Sequence, residues 1–256
     1  MLRLFINADD FGLSRNVNNG IVECFERNYV SATTLMVNMP FCDEAVDLSH
    51  RHGFSDCVGL HLNISEGYPL SEQIKSVPLF VGNNGRFSNW FRQKTIKQFL
   101  LSRHEKSALK EEFEAQIKKF LSLGFCGHLD SHQHSHTCWF FFEVLAPLLL
   151  KYNFLTVRLS RNISNESVSP LIYSYKAIFN TFLKNKTTVL TKHFTSFASI
   201  LEQGFPKDGV TELMCHPDYS SDGALINIGN VGFEELFKNI KNYRLLKPIE
   251  LQGVAL

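Results

Sequence analysis

Side chains able to bind a metal or transfer a proton occur in short, separated groups along this 256-residue chain. Asp9 and Asp10 are adjacent near the N-terminus, His61 lies between two leucines, and His216 precedes a proline. The densest group, residues 128–136, carries five residues able to bind metal at alternate positions. A turn or helix cap would explain the aspartates, and a buried core histidine would explain His61. These groups therefore have to be judged as a set.

One carboxylate and two imidazoles form the simplest catalytic metal site in this set. A catalytic divalent ion takes three protein ligands and keeps a position open for water or substrate. Asp10, His61 and His132 supply these ligands. Mg²⁺ and Zn²⁺ both fit, although two histidines favour Zn²⁺ or another transition metal. Such an ion lowers the pKa of its bound water and polarises a carbonyl, which predicts a hydrolase with one divalent metal ion.

Three other side chains are assigned to proton transfer and its support. Neighbouring residues on an extended strand point in opposite directions, so a turn at Phe11-Gly12 is needed to bring both aspartates to one site. Asp9 is then the general base that acts on water. His216 is assigned as the acid that protonates the departing amine, and Arg158 would orient Asp9 through a charge-assisted hydrogen bond. A turn-capping histidine and a surface arginine are the alternatives for these last two residues.

The elements that must position these residues alternate between strand-like and helix-like patterns, which indicates βαβ units and a parallel sheet. About seven parallel strands favour an α/β fold with an incomplete (β/α) barrel over an open doubly wound sheet. The predicted strands are Leu2–Ala8, Ala32–Val37, Val58–Leu62, Phe125–Leu129, Leu155–Leu159, Val210–Cys215 and Ile249–Leu251. The predicted helices cover 14–28, 43–52, 94–123 with a break near Ser102, 139–152, 171–184, 197–203 and 233–243.

Most of the polar groups follow or end a predicted strand, and Arg158 lies within one. The carboxyl ends of parallel strands converge on one face of a barrel, where the catalytic residues of such folds collect. This shared placement favours one common site over several unrelated turns and caps.

Composition limits the class of protein and its partners. With 44% hydrophobic residues, the chain can form a single domain over residues 1–256, with a loop-rich insertion at about 64–92. The net charge of +1 argues against nucleic acid as a partner. The longest apolar stretch, Cys138–Leu150, contains a glutamate and a proline and is too short for a membrane span. We expect a small-molecule substrate, and a homo-oligomer remains open.

The six cysteines are scattered and contain no Cys-x-x-Cys pair, which is typical of reduced thiols in the cytoplasm. The N-terminal apolar run is too short for a signal peptide and resembles a first strand. Both observations predict a cytoplasmic protein.

Four motifs together resemble the YdjC-like carbohydrate deacetylases, which include the chitooligosaccharide deacetylases, over nearly the whole chain. The resemblance implies an irregular barrel related to polysaccharide deacetylases, and removal of an N-acetyl group from an N-acetylglucosamine-containing oligosaccharide or glycolipid. It also implies metal ligation by Asp10, His61 and His132, with Asp9 and His216 as base and acid. The motifs are Asn7-Ala-Asp-Asp-Phe-Gly12, Gly59-Leu-His-Leu-Asn63, His128-Leu-Asp-Ser-His-Gln-His-Ser-His136 and Glu212-Leu-Met-Cys-His-Pro217.

Substrate contacts are predicted on aromatic and polar residues near the motifs, because aromatic rings offer flat faces for packing on a sugar. Two segments depart from the family pattern. Asp218 replaces a small residue after the His-Pro pair, and the segment after Arg158 lacks acidic or proline-rich character. The added carboxylate could shift the pKa of His216 or meet a cationic group, so the sugar stays undetermined. The predicted contacts are Asp130, His134, Tyr68, Trp90 and Tyr219, with Phe87 as a further aromatic candidate.

Three alternatives compete with the deacetylase. A non-haem iron oxygenase would use His128, Asp130 and His216 as a two-histidine, one-carboxylate site, but that chemistry usually occupies all-β jelly rolls. An amidohydrolase of the His-x-His type is disfavoured because aspartates follow the first strand. A non-catalytic sugar- or metal-binding barrel is the remaining alternative, and nothing in the sequence favours it.

Overall fold

The computed structural model describes residues 1–93, 100–154, 156–164, 169–187, 191–238 and 240–251. In chain order its elements are β1 (Leu2–Phe11), α1 (Arg15–Glu26), β2 (Ala32–Leu35), α2 (Cys42–Arg51), β3 (Val58–Leu62), α3 (Trp90–Gln93), α4 (Arg103–Ser122), β4 (Leu129–Ser131), α5 (Trp139–Lys151), α6 (Pro170–Lys184), β5 (His193–Ser196), α7 (Phe197–Gln203), β6 (Thr211–Cys215), β7 (Asp218–Tyr219), β8 (Leu225–Asn227), β9 (Val231–Gly232), α8 (Phe233–Lys238), β10 (Tyr243–Leu245) and α9 (Pro248–Leu251). Short 3-10 helices cover Ser55–Cys57, Gln73–Ser76 and His132–Thr137.

A parallel sheet of seven strands forms the centre of the fold. Its order is β4-β3-β2-β1-β6-β5, and β10 pairs with the first residues of β1. Strands β7, β8 and β9 form a separate antiparallel sheet. The large sheet curls into a half-barrel with helices packed on it, so the predicted incomplete α/β barrel is confirmed. No helix in the described residues is long and apolar enough to cross a lipid bilayer.

The gap between the edge strands β4 and β5 is occupied by the irregular segment 156–162. At one end, Arg158 N–H donates to the Leu129 carbonyl at 2.9 Å, and at the other Asn162 N–H donates to the Phe194 carbonyl at 3.2 Å. The predicted strand Leu155–Leu159 is reduced to a single bridge between Val157 and Leu129, and Leu155 lies outside the described residues. These two hydrogen bonds fix the segment to β4 and β5, and the Arg158 side chain is buried inside the barrel.

Two other predictions near the C-terminal half were wrong. Ile249–Leu251 belongs to helix α9, which begins at Pro248, a residue favoured at the first helical position. The helix predicted to reach Tyr243 ends at Lys238, and Tyr243 opens strand β10. Strand β5 was not predicted. Strands of three or four residues carry too little periodicity to be distinguished from loops.

Helix starts follow local capping chemistry. The Ser14 hydroxyl accepts the Val17 N–H at the start of α1. Ser102 and Glu105 form a reciprocal capping box at the start of α4, which explains the predicted break near Ser102. The predicted helical stretch 94–99 lies outside the described residues. Other predicted helices match to within a few residues.

The insertion at 64–92 is fixed to α4 by two buried polar side chains. The Glu112 carboxylate accepts the N–H groups of Leu70 and Ser71 at 2.7–3.2 Å. Gln116 accepts the Asn63 N–H at 3.0 Å and donates to the Asn63 carbonyl at 2.6 Å. These bonds hold the insertion beside the carboxyl end of β3.

Candidate metal and catalytic site

A bulge at the end of β1 brings two consecutive aspartates to the same side of the sheet. The pairing of β1 with β2 shifts between Ala8 and Phe11, so Asp9 and Asp10 together oppose Thr34 alone. Asp10 adopts a left-handed φ of 71°, a conformation that costs a non-glycine residue on the order of 1–3 kcal/mol. Both carboxylates are buried. The reversal therefore lies at Asp10 itself and not at the predicted Phe11-Gly12.

The three predicted metal ligands converge on one point. Asp10 Oδ1 lies 3.1 Å from His61 Nε2 and 2.7 Å from His132 Nδ1. The ligand atoms of all three residues lie within 4.8 Å of one another. Burial lowers the pKa of His61, but the carboxylates of Asp130 and Asp10 outweigh it and raise that pKa to about 10. The carboxylates of Asp130 and Asp10 thus stabilise a positive charge at the His61 ring. A divalent cation would supply such a charge.

Asp130 orients His61 from behind. Its Oδ1 accepts the His61 Nδ1–H at 2.6 Å, so a metal at the ligand position would replace the proton on Nε2 while Nδ1 keeps its own. Its Oδ2 accepts the Thr34 hydroxyl at 3.1 Å. Because Asp130 is fully buried, its carboxylate lies on the core side of the predicted metal ligands. This position is away from the substrate contact that was predicted for it. The donor set and this supporting carboxylate fit a divalent metal.

His132 is presented by an unusual turn. Gln133 and His134 both adopt left-handed backbone conformations, with φ of 52° and 56°. His136 fastens the turn, because its N–H donates to Ser131 Oγ at 2.9 Å and its Nε2–H donates to the Arg158 carbonyl at 3.0 Å. Burial lowers the pKa of His136 to about 4, so the ring is neutral and its Nδ1 can accept the Ser131 hydroxyl. Within the histidine-rich tract, His132 is therefore the predicted metal ligand and His136 has a structural role.

A single buried guanidinium binds three carboxylates beside the ligands. Arg158 contacts both oxygens of Asp9 at 2.7 Å, Oδ2 of Asp130 at 2.6 Å and Oε1 of Glu212 at 2.5 Å. Burial raises the pKa of the Asp9 carboxyl, but Arg158 outweighs burial and holds the pKa well below its usual range. Burial dominates at Glu212 and raises its pKa to about 7. Asp9, His61 and Asp130 also lie close enough to hold a cation, but both carboxylates already bind the Arg158 guanidinium.

His216 stands at the open side of Asp9. Its Nε2 lies 3.9 Å from Asp9 Oδ2, and its side chain is 27% exposed. The His216 N–H donates to Asn227 Oδ1 at 2.8 Å, which ties the end of β6 to β8. Nδ1 is buried and has no hydrogen-bond partner in the described part of the chain. The ring can therefore approach a group held between the ligands and solvent.

The predicted substrate residues divide by exposure. Tyr68 is 54% exposed with the Arg86 guanidinium 4.9 Å above its ring, and Trp90 is 44% exposed. His134 is half-buried and packs edge-on against Phe194. The Tyr219 hydroxyl instead donates to Glu23 on α1 at 2.7 Å, which gives it a structural contact.

Two residues behave differently from their expected roles. The prediction for Phe87 is wrong, because its side chain is buried in the core. Asp218 is exposed, and its Oδ1 accepts the N–H of Tyr219 at 2.8 Å. The extra carboxylate therefore caps the backbone of β7.

Three supporting residues, Asn7, Thr34 and Glu212, were not predicted from the sequence. Asn7 donates to Asp9 Oδ1 at 2.8 Å and to Thr34 Oγ1 at 3.0 Å, and it accepts the His128 Nε2–H at 2.9 Å. Thr34 contacts both His61 and Asp130. The role of Glu212 could have been predicted, because a glutamate inside the apolar strand predicted at 210–215 needs a buried partner. No sequence pattern marked Asn7 or Thr34, since both residue types are common in strands and turns.

The YdjC-like protein family model matches residues 3–243. The chain belongs to this family. Curated relatives of this YdjC-like protein are named carbohydrate deacetylases. That of Clostridium beijerinckii is 33% identical over 85% of this chain and 82% of the relative. The relative from Halalkalibacterium halodurans is 35% identical over 85% of this chain and 86% of the relative. The relative from Vibrio parahaemolyticus is 30% identical over 99% of this chain and 94% of the relative.

A solved structure resembles the whole fold of this YdjC-like protein. It comes from Enterococcus faecalis, is named for a proposed role in cellobiose-phosphate cleavage, and aligns with a TM-score of 0.66. The alignment covers 98% of this chain and 89% of that chain at 22% identity. At this identity the likeness establishes the fold alone.

Proposed function

We propose that this protein is a metal-dependent carbohydrate deacetylase that hydrolyses the N-acetyl amide of a sugar. The convergence of Asp10, His61 and His132 beside Asp9 and His216 carries the proposal. Curated relatives named carbohydrate deacetylases support the choice of reaction. Asp10, His61 and His132 would hold the ion. When bound, a divalent ion polarises the acetyl carbonyl and makes water more acidic.

Asp9 is proposed as the base that accepts the proton of the attacking water. Its Oδ1 already accepts hydrogen bonds from Arg158 and Asn7, whereas Oδ2 receives one bond from Arg158 and faces His216. Oδ2 is therefore the oxygen with a free lone pair toward the open side. Arg158 keeps Asp9 ionised because the guanidinium holds the carboxyl pKa well below its usual range, although burial raises it.

His216 is proposed as the acid that protonates the departing amine. Its Nε2 lies next to Asp9 and its ring reaches solvent, so a proton can be replaced after each turnover. An acid of this kind typically contributes on the order of 10²–10⁴-fold to the rate. Asp9 and His216 would thus serve the same acetyl group as base and acid.

The exposed rings of Tyr68 and Trp90 are proposed to pack on the sugar. Both lie on the insertion that Glu112 and Gln116 hold beside β3, and flat aromatic faces suit the apolar face of a pyranose. We propose an N-acetylglucosamine oligosaccharide or glycolipid as the substrate. A cytoplasmic location remains our prediction, and it is based on six free cysteines, of which Cys126 is the exposed one.

Acetate release tests the proposed activity. Purified protein is stripped with a chelator, reloaded separately with Zn²⁺ or Mg²⁺, and incubated with N-acetylglucosamine oligomers and acetylated glycolipid headgroups. We expect acetate release that stops on chelation and returns with metal. Absence of cleavage by metal-loaded protein contradicts the proposal. Tight sugar binding without acetate would favour the non-catalytic barrel, and turnover that requires iron and oxygen would favour an oxygenase.

His132→Ala tests the ligand role under the same conditions. We expect this variant to stay folded and to lose both metal and activity. Asp9→Asn should keep the metal but lose turnover. The reverse pattern, metal loss in Asp9→Asn and metal retention in Asp10→Asn, would exchange the roles of the two aspartates.

A further inference from the structure

Glu212 is a buried carboxylate in the middle of β6. Its neighbours across the sheet are Phe5 on β1 and Phe194 on β5. Oε1 accepts the Arg158 Nε–H at 2.5 Å, and Oε2 accepts the Thr191 hydroxyl at 3.4 Å. Within the described residues, Glu212 makes no hydrogen bond to Asp9 or to a metal ligand. Any effect of Glu212 on the chemistry must therefore pass through Arg158.

The guanidinium of Arg158 is held on two edges and one face. Its Nε edge meets Glu212, and its two Nη atoms bind the two oxygens of Asp9. The Phe194 ring lies 4.8 Å from the guanidinium carbon. Because the guanidinium is a rigid planar fork, fixing Nε also fixes the direction in which both Nη atoms point.

That direction matters at two places in the site. Nη1 binds Asp9 Oδ2, the oxygen proposed to accept a proton, and it also lies 2.6 Å from Asp130 Oδ2. Asp130 in turn orients His61 through a bond of 2.6 Å. A tilt of the guanidinium would therefore displace the base and the group that supports a metal ligand together.

Charge balance does not account for Glu212. Asp9 and Asp130 already provide two carboxylates for one guanidinium, and burying a third carboxylate without another cation is costly. Removing one partner of such a pair also leaves the other partner unsatisfied. The geometry at Nε is the contribution that only Glu212 makes to Arg158.

We propose that Glu212 is a positioning residue for deacetylation, which anchors Arg158 Nε and so aligns the Nη edge with Asp9 and Asp130. This inference rests on the proposed function and adds a residue that acts without touching the substrate. It predicts a loss in kcat with little change in KM, because the sugar-binding surface is not altered.

Three substitutions separate positioning from charge and packing. Glu212→Met keeps the approximate shape and removes the acceptor, Glu212→Gln keeps an acceptor and removes the charge, and Glu212→Asp keeps the charge and shortens the reach. We expect kcat to fall by up to about 10²-fold in the Met and Asp variants, the scale expected for a misplaced catalytic group. The Gln variant should retain most of the wild-type kcat. Thr191→Val, which removes only the bond to Oε2, is the control and should match wild type.

The Nε–H resonance of Arg158 gives a readout independent of turnover. In protein labelled with nitrogen-15 arginine, it is assigned by its loss in Arg158→Lys. We expect this resonance to shift in Glu212→Met and to stay near its wild-type position in Glu212→Gln. Wild-type kcat in Glu212→Asp, or an unshifted resonance in a folded Glu212→Met, overturns the proposal; if Glu212→Met does not fold, Glu212→Asp decides. Should wild-type protein cleave no acetylated sugar, the proposed function fails, whereas the resonance still tests whether Glu212 positions Arg158.

Discussion

Asp130→Asn is the substitution whose effect on metal binding follows most directly from the geometry. In the wild-type protein, Oδ1 accepts the His61 Nδ1–H, and Oδ2 accepts from the Thr34 hydroxyl and lies 2.6 Å from Arg158 Nη1. All these neighbours are donors. An asparagine has only one oxygen, so its amide nitrogen must face either His61 or Arg158.

Either orientation weakens the site. If the amide faces His61, the imidazole must accept at Nδ1, which moves its proton to Nε2 and removes the lone pair needed by a metal. If the amide faces Arg158, two donors oppose each other inside the protein and Arg158 loses a buried partner. Loss of such a supporting group costs typically about 10–100-fold in metal affinity. That loss corresponds to about 1.4–2.7 kcal/mol, since tenfold equals about 1.4 kcal/mol.

The assay is a competition titration of Zn²⁺ against a fluorescent chelator at constant pH. Circular dichroism of the same samples verifies that Asp130→Asn is folded. Asp218→Asn is the matched control, because Asp218 is an exposed carboxylate that caps the Tyr219 N–H and contacts no ligand. A dissociation constant for Asp130→Asn equal to that of wild type and of Asp218→Asn would refute the role given to Asp130.

Three further predictions concern stability. Gly59→Ala should lower the free energy of unfolding by about 1–3 kcal/mol, because an added Cβ would lie 2.6 Å from the His128 carbonyl oxygen; urea unfolding measures this. Chelation should lower Tm, because Asp9, Asp130 and Glu212 share one guanidinium and Asp10 adds a carboxylate between His61 and His132; saturation at a hundredfold excess over Kd restores about 2.7 kcal/mol in calorimetry. Acid should destabilise metal-free protein, because burial lowers the pKa of His128 from its ordinary 6.5 to about 4. The unfolded chain then binds a proton that the folded chain excludes, so stability falls from pH 6.5 toward pH 4, by about 2 kcal/mol at pH 5.

Each of these has a control and a contradicting result. Gly232→Ala adds a Cβ with nothing within 4 Å and should be neutral; equal effects at the two glycines would show that crowding at His128 is not the cause. Addition of a monovalent salt in place of the divalent ion should not restore Tm, and full recovery with it would contradict a specific site. His128→Gln can still donate to Asn7 and does not titrate, so it should make the pH dependence shallower, while buried His136 keeps its own contribution. An unchanged slope in this variant would contradict the assignment to His128.

The candidate site was predictable from sequence to a considerable depth. Residue type selected Asp10, His61 and His132, since few side chains can bind a divalent ion, and placement after strands indicated that they meet. The same reasoning gave the wrong location for the reversal between the aspartates, because a bulge depends on pairing with β2 and leaves no mark in β1 alone. The long helices and the strands β1, β2, β3 and β6 were also predicted, whereas β4 begins only at Leu129, the last residue of the strand predicted at 125–129, and β5 and β10 were too short to show a period.

The metal-ligand chemistry and the alternation of strands and helices are properties of residue type and periodicity, which the chain carries locally. The partners of these residues, by contrast, come from distant parts of the chain. Glu212 and Asp9 are separated by more than two hundred positions, yet they share one guanidinium, and Asp130 was assigned to the substrate although it supports His61. Only folding decides such contacts, because a buried carboxylate must find whichever donor the curled sheet brings within hydrogen-bond distance. The sequence by itself determined which residues could do the chemistry, and the tertiary structure decided which of them meet at the candidate site and which hold the others in place.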